Sequence, residues 1–319
     1  MTAFLERHQV VLYLVALLVG VVAAPAVAAP AEAAITPVLA LLLYVTFLSV
    51  PFVEVAKSLR GLRFLVVVLG VNFLLAPGVA WLVTRPVSGD QVLLVGLLFV
   101  LLAPCVDYVI VFTRLAGGAA VRLLAAAPLL LLGQMIALPL YLRLFFGEVD
   151  LVEPGPFLHA LVWLILVPLA AAVLTQALRL RWLLSAGEAL MVPLMMATLA
   201  TVVASQSGGV GAHWAKLAVV VPVVVVFAVV MATVGACVSR LAGIDAPGRR
   251  AIAFSGATRN SLVVLPLVLA LPAQFALAPL VVVTQTLTEL MLMVVFVRVI
   301  PALITQKTPA PVRAREDGA

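Results

Sequence analysis

Charge is what this chain has least of. Only 32 of its 319 residues are charged, 19 basic and 13 acidic, or 10%, against about 25% in an ordinary soluble domain. Hydrophobic residues make up 66%, and mean hydropathy is +1.31. No soluble fold of this length hides that much apolar surface, because even a well-packed domain keeps a large wet exterior. A soluble enzyme, a nucleic-acid binder and a disordered chain are therefore excluded as descriptions of the whole. Cysteine is nearly missing too. Cys105 and Cys237 both sit inside apolar runs, which excludes a disulfide framework. There is no glycine-rich phosphate loop and no His-x-x-x-His pattern. ATP-driven work by this chain alone is thus not expected, nor is a resident cofactor or metal.

What is present is a series of long apolar runs. Each membrane span needs about 20 mostly apolar residues, and the runs between charged or Pro/Gly-rich breaks number ten. They cover roughly 9–28, 34–56, 63–84, 91–113, 119–146, 157–178, 184–206, 214–238, 248–271 and 274–300. Runs such as Leu217–Val234 do not alternate, so the spans read as helices rather than barrel strands. The chain is expected to be an all-α polytopic membrane protein. The basic residues sort by loop. Fifteen fall on one side, among them Lys57, Arg60, Arg63, Arg114, Arg122, Arg240, Arg249 and Arg250; three, Arg85, Arg143 and Lys216, fall on the other. This bias predicts an inner-membrane protein with both termini cytoplasmic. The acidic cluster Glu148, Asp150 and Glu153 falls outside. Residues 9–28, ending Ala26-Val27-Ala28, imitate a signal peptide, but Glu6 and Arg7 make a poor n-region.

The spans group as two sets of five. Residues 1–150 form one repeat, 151–303 a second, and 304–319 a short basic tail expected to be disordered. Polar interruptions recur at about the same offset. The fourth span breaks at Ala103-Pro104-Cys105-Val106-Asp107 and the ninth at Ser255-Gly256-Ala257-Thr258-Arg259-Asn260-Ser261. Five helices is an odd number, so the second copy must insert inverted. Inverted repeats with one broken helix each are a signature of secondary transporters. Either break alone reads as an ordinary Pro or Gly kink. Two at matching positions, each holding an ionisable residue, predict helices that cross near the midplane. Freed backbone groups there are tolerated only against protein or a cavity.

Three ionisable residues lie well inside spans: Asp107, Arg259 and Glu289. Each costs about 2.5–3.5 kcal/mol at a helix centre on insertion scales, so each calls for a reason. Asp107 follows Pro104 at the start of the second half-helix, where the dipole favours a carboxylate. Asp107 and Arg259 are expected to face each other, as a static ion pair or as a pair that opens when a proton or substrate arrives. Glu289, near Thr284, Gln285 and Thr288, is a candidate proton carrier or a structural bond to a neighbouring helix. Cys105 is apolar filler by itself, but in the break its thiol suits a soft ligand. Asn260 and Ser261 are the most credible uncharged site residues, ahead of Asn72, Gln134, Ser205 and Gln206.

With broken fourth and ninth helices in ten spans, the chain resembles the bile acid:sodium symporter superfamily. The segment Pro104-Cys105-Val106-Asp107-Tyr108-Val109-Ile110-Val111-Phe112-Thr113 resembles bacterial arsenite permeases in particular. In that branch a cysteine opens the second half of helix 4 and is needed for transport, and a glutamate marks the last helix. The resemblance thus implies Cys105 as an arsenite contact and Glu289 as the matching acid. Two features depart from it: Pro104 stands where a basic residue is usual, and Ser261 about where helix 9 carries a glutamate. The sodium-coupled branch carries Glu-x-Gly-x-Gln-Asn in helix 9. Here Phe254 replaces that glutamate and Thr258-Arg259 the Gln-Asn pair, which implies that sodium coupling is lost.

The leading expectation is a proton-coupled efflux permease for arsenite or a similar metalloid. Cys105, Arg259, Asn260 and Ser261 would bind the solute, and Asp107 and Glu289 would handle protons. The alternative is a carrier for small organic anions, with Arg259 on the carboxylate. The expected partners are a small solute, protons and the bilayer, with a second copy of the chain an open question, and no nucleic acid or nucleotide.

Overall fold

The computed structural model describes residues 2–49, 62–106, 108–146 and 161–305, and among these every regular element is a helix. We number them α1 (Thr2–Ser49), α2 (Leu62–Val83), α3 (Gln91–Leu101), α4 (Tyr108–Leu115), α5 (Ala120–Phe146), α6 (Val167–Ala177), α7 (Arg181–Ala218), α8 (Val220–Leu241), α9 (Ala246–Ala257), α10 (Ser261–Leu269) and α11 (Ala278–Leu303). In lipid every backbone N–H and C=O must find a partner within the protein, and a helix does this locally. Five described helices are long and apolar enough to span a membrane, and α7, bent by 44° between Gly187 and Ala189, makes a sixth. The chain is a multi-pass membrane protein.

Several expected boundaries move. The first and second spans were expected to part at residues 29–33, yet α1 runs unbroken for 48 residues. Pro25, Pro30 and Pro37 lie inside it; a proline inside an apolar helix bends it more readily than it ends it, because neighbouring helices take up the freed carbonyls. At about 1.5 Å per residue α1 is about 70 Å long, and α7 packs along it. The seventh and eighth spans are parted by no loop; His213 leaves helical geometry (φ −123°, ψ 17°) and turns the chain. The short connection between the last two spans is present as a one-turn 3₁₀ helix at Ala273–Phe275. The expected repeat boundary at 150, the acidic cluster and the tail from 306 lie outside the described residues.

Burial follows an inverted pattern suited to lipid. Helix α3 is buried nearly all round, from Val95 to Leu101, so it runs through the protein's centre. Large apolar side chains such as Leu74, Leu82, Ile136, Leu140, Leu144 and Val226 are exposed on the outer helices. The four tryptophans, Trp81, Trp163, Trp182 and Trp214, are exposed as well, all near helix ends or connections, where an amphipathic ring suits the membrane boundary. The arginine guanidinium of Arg85 stacks 3.6 Å over the Trp81 ring.

Two groups of charged contacts lie toward opposite ends of α8. Arg122 pairs with Asp245 at 2.6 Å, and Arg250 donates to the carbonyls of Ala116, Gly117 and Ile304. Asp90 and Lys216 pair at 3.3 Å. Helix α8 connects the two groups: its 22 residues start just after Lys216 and carry Arg240 in the last turn, a length of about 33 Å. That matches the hydrocarbon thickness.

Asp90 also caps α3, accepting the N–H groups of Val92 and Leu93. Partial burial pushes its carboxyl up, but Leu93 N–H, Lys216 and Val92 N–H outweigh it and hold the pKa below the ordinary 3.8. The cap therefore contributes above the unfolded value, and the contribution is lost as pH falls through the lower folded value. Asp90→Ala is expected to cost about 1 kcal/mol, read as a lower melting temperature of the detergent-solubilised protein at pH 7. The gap between the two proteins should narrow as pH falls below the ordinary carboxylate value of 3.8.

Candidate functional site

The two broken helices meet. In the gap after α9 the chain runs extended at Thr258, and Pro104, in the gap after α3, forms an antiparallel bridge with Arg259. Cys105 N–H donates to Thr258 O at 3.4 Å and Asn260 N–H to Ala103 O at 2.8 Å. These bonds flank the Pro104–Arg259 pair, so the N–H positions of the pair itself point away from the ladder. Proline, which has no N–H, fits one of them without loss. The other N–H, on Arg259, is taken by Glu289, whose two oxygens lie 3.1 and 3.0 Å away. The sequence places these partners 30 residues apart; the fold sets α11 beside the break.

Glu289 is nearly fully buried and richly bonded. Besides Arg259 N–H it accepts from Gln285 Nε2 and lies 2.7 Å from the Tyr108 hydroxyl. Tyr108 Oη also lies 2.9 Å from Arg259 O. The acid read from sequence as a proton carrier or as a structural bond to a neighbouring helix is bonded into the crossing.

The Arg259 guanidinium is fully buried. Nη2 donates to the Asn72 side-chain carbonyl at 3.2 Å and to Gly256 O, and its carbon lies 5.0 Å from the Phe227 ring centroid. Among the described residues no carboxylate pairs with it, and its Nε and Nη1 have no hydrogen-bond partner. Cys105, fully buried, lies close enough to interact with its charge. The expected Asp107–Arg259 pair cannot be placed, because Asp107 lies outside the described residues. Asn72 sits in a π-helical turn of α2, Val71–Leu75, and also donates to Ser255 Oγ at 2.9 Å. A π-turn pushes one residue out of register, a feature frequent at functional positions.

The other predicted residues part company. Asn260 caps α10, accepting Val263 N–H at 3.3 Å, and its amide lies 3.5 Å from Gln134; its side chain is engaged in holding the break. Ser261, whose hydroxyl has no partner among the described residues, lines a small cleft with Thr198, Val202, Leu265, Val282 and Thr286. This cleft lies at the seam between α7 and the α10–α11 pair, and its free volume of about 20 Å³ holds about one water molecule. Ser205 bonds back to Val202 O within α7, the Gln206 side chain lies outside the described residues, and Cys237 is exposed on α8. Sequence reasoning passed over Tyr108, Thr258 and Phe227. Tyr108 carried the one available signal, a buried-type phenol next to a break, which needs a partner.

The model of the sodium bile acid symporter family matches residues 36–234. The chain belongs to this family. It is a membrane transporter of a small solute, not an enzyme. The matched stretch includes the first break, with Cys105, and stops short of the second break and Glu289. No curated protein matches the chain significantly.

Proposed function

We propose that this member of the family is a proton-coupled exporter of arsenite or a related metalloid, and that it works without sodium. The observation that carries the reading is the position of Cys105, in the first break, beside a buried guanidinium whose Nε and Nη1 are unpartnered. A thiol next to a fixed positive charge is readied for a thiophilic solute. Arsenous acid, As(OH)₃, reacts with it to form an S–As bond and release one water, the thiol proton leaving with the hydroxyl. The remaining hydroxyl oxygens are acceptors for Arg259. Glu289, with Asp107, handles the proton. Phe254 stands where a sodium site would need a carboxylate, and it is fully buried. In this reading the ten spans form two inverted repeats around the crossing, in the inner membrane, with both termini cytoplasmic.

The same unpartnered guanidinium favours a second reading, a carrier of small carboxylates held by Arg259. The test is arsenite accumulation in cells with and without this chain, at two external pH values and without sodium. Lower accumulation in cells that make the protein, dependent on pH and independent of sodium, supports the exporter. Equal accumulation in every condition defeats it.

A further inference from the structure

Tyr108 has one hydroxyl proton and, among the described residues, two acceptors. Its oxygen lies 2.9 Å from Arg259 O and 2.7 Å from Glu289 Oε1. A phenol donates once, so it cannot donate to both. Which acceptor it serves depends on whether Glu289 holds a proton. We propose that Tyr108 is a positioning residue that transmits the protonation state of Glu289 to the carbonyl of Arg259 at the helix crossing. The inference rests on the proton-coupled reading above.

The two states balance. With Glu289 protonated, its O–H donates to Tyr108 Oη and the Tyr108 O–H donates to Arg259 O, so every group in the chain is served. When Glu289 loses its proton to water, only its own O–H bond breaks. The phenol O–H then turns about its C–O bond toward the carboxylate, because a charged acceptor wins over a neutral one. Arg259 O thereby loses this donor. The residue is fully buried, and a buried carbonyl deprived of a donor is unfavourable. Among the described residues, the groups bonded to Glu289 are the Arg259 N–H from the second break, Tyr108 from α4 and Gln285 from its own helix, while Cys105 interacts with the Arg259 charge. Asp107, next to Tyr108 in sequence, lies outside the described residues.

The arrangement selects a class of solute. A molecule that brings its own O–H donor to Arg259 O replaces Tyr108 there and favours the ionised Glu289. Solute entry and proton loss are then linked, which is exchange rather than cotransport. A neutral hydroxylated solute meets this requirement, whereas a bare carboxylate has no donor to offer.

The experiment is an acid-induced infrared difference spectrum of the full chain in lipid vesicles. Glu289→Gln identifies the carboxylic acid band of Glu289. Tyr108→Phe is expected to move that band to higher wavenumber, since the acid has lost its acceptor; a band that stays in place overturns the relay. Should Tyr108→Phe fail to assemble, a fluorinated tyrosine at 108 keeps the ring and weakens the phenol oxygen as an acceptor. It predicts the same direction of shift, and no shift is again fatal. Flux into the same vesicles separates the two ideas. The relay predicts that Tyr108→Phe brings the ratio of flux at pH 6 to flux at pH 8 toward one. If wild-type flux ignores pH while the band still shifts, proton coupling fails and the hydrogen-bond relay stands.

Discussion

Cys105→Ser is expected to abolish arsenite export, returning accumulation to that of cells without the protein. A serine hydroxyl is a hard oxygen and forms no durable bond to a soft arsenic centre. A fall in flux of roughly 100-fold corresponds to about 2.7 kcal/mol, a modest demand for the loss of the thiol at the crossing. Cys105 is fully buried, so serine also buries a hydroxyl, at a cost of about 1–3 kcal/mol. Cys105→Ala carries no such polar cost and serves as the folding control. Both variants should lose export, while the alanine variant keeps its melting temperature within a few degrees of wild type. Carboxylate flux should survive both substitutions if Arg259 alone holds the solute. Undiminished arsenite export in Cys105→Ala would remove the metalloid reading and leave the carboxylate one.

Glu289→Leu is expected to have the largest effect on assembly. It strands the Arg259 N–H and the Gln285 amide and leaves the Tyr108 hydroxyl only the Arg259 carbonyl, and it leaves the buried Arg259 without the nearby negative charge. Breaking a buried charged network from one side costs about 3–5 kcal/mol, so the purified protein should melt far lower or fail to accumulate. Glu289→Gln keeps an oxygen for the Arg259 N–H and most of the shape. Its melting temperature should recover much of the loss, while flux becomes insensitive to pH. The pair of variants separates holding the break from carrying the proton. A glutamine variant with full pH response would show that the proton is carried elsewhere.

These two residues were legible in the sequence for different reasons. Cys105 stood out because a thiol lay in a helix break. Glu289 stood out because charge in an apolar span is costly. Glu289 was read as a proton carrier or a structural bond, but its partner, the backbone N–H of Arg259 in the second break, was not legible, because no pattern of side chains reports which backbone groups a fold leaves unpaired. Asn72 was one weak candidate among several, and only the π-turn of α2 brought its amide to Arg259. Asn260 was read as a solute ligand; the fold shows that it caps the half-helix that follows it, as an asparagine at a helix start commonly does.

The scarcity of charge determined, from sequence alone, that the chain lives in lipid and where its two breaks fall. Water-free surroundings force long apolar runs, and each exception must be explained, so composition and position suffice. What the tertiary structure decided is which strays meet. The segments at the two breaks pair because lipid offers their backbone no other partner. That pairing turns the Arg259 N–H toward Glu289 and leaves part of its guanidinium unpartnered. The continuity of α1 was likewise a tertiary matter, since three prolines in a row of small residues are tolerated only where α7 packs alongside.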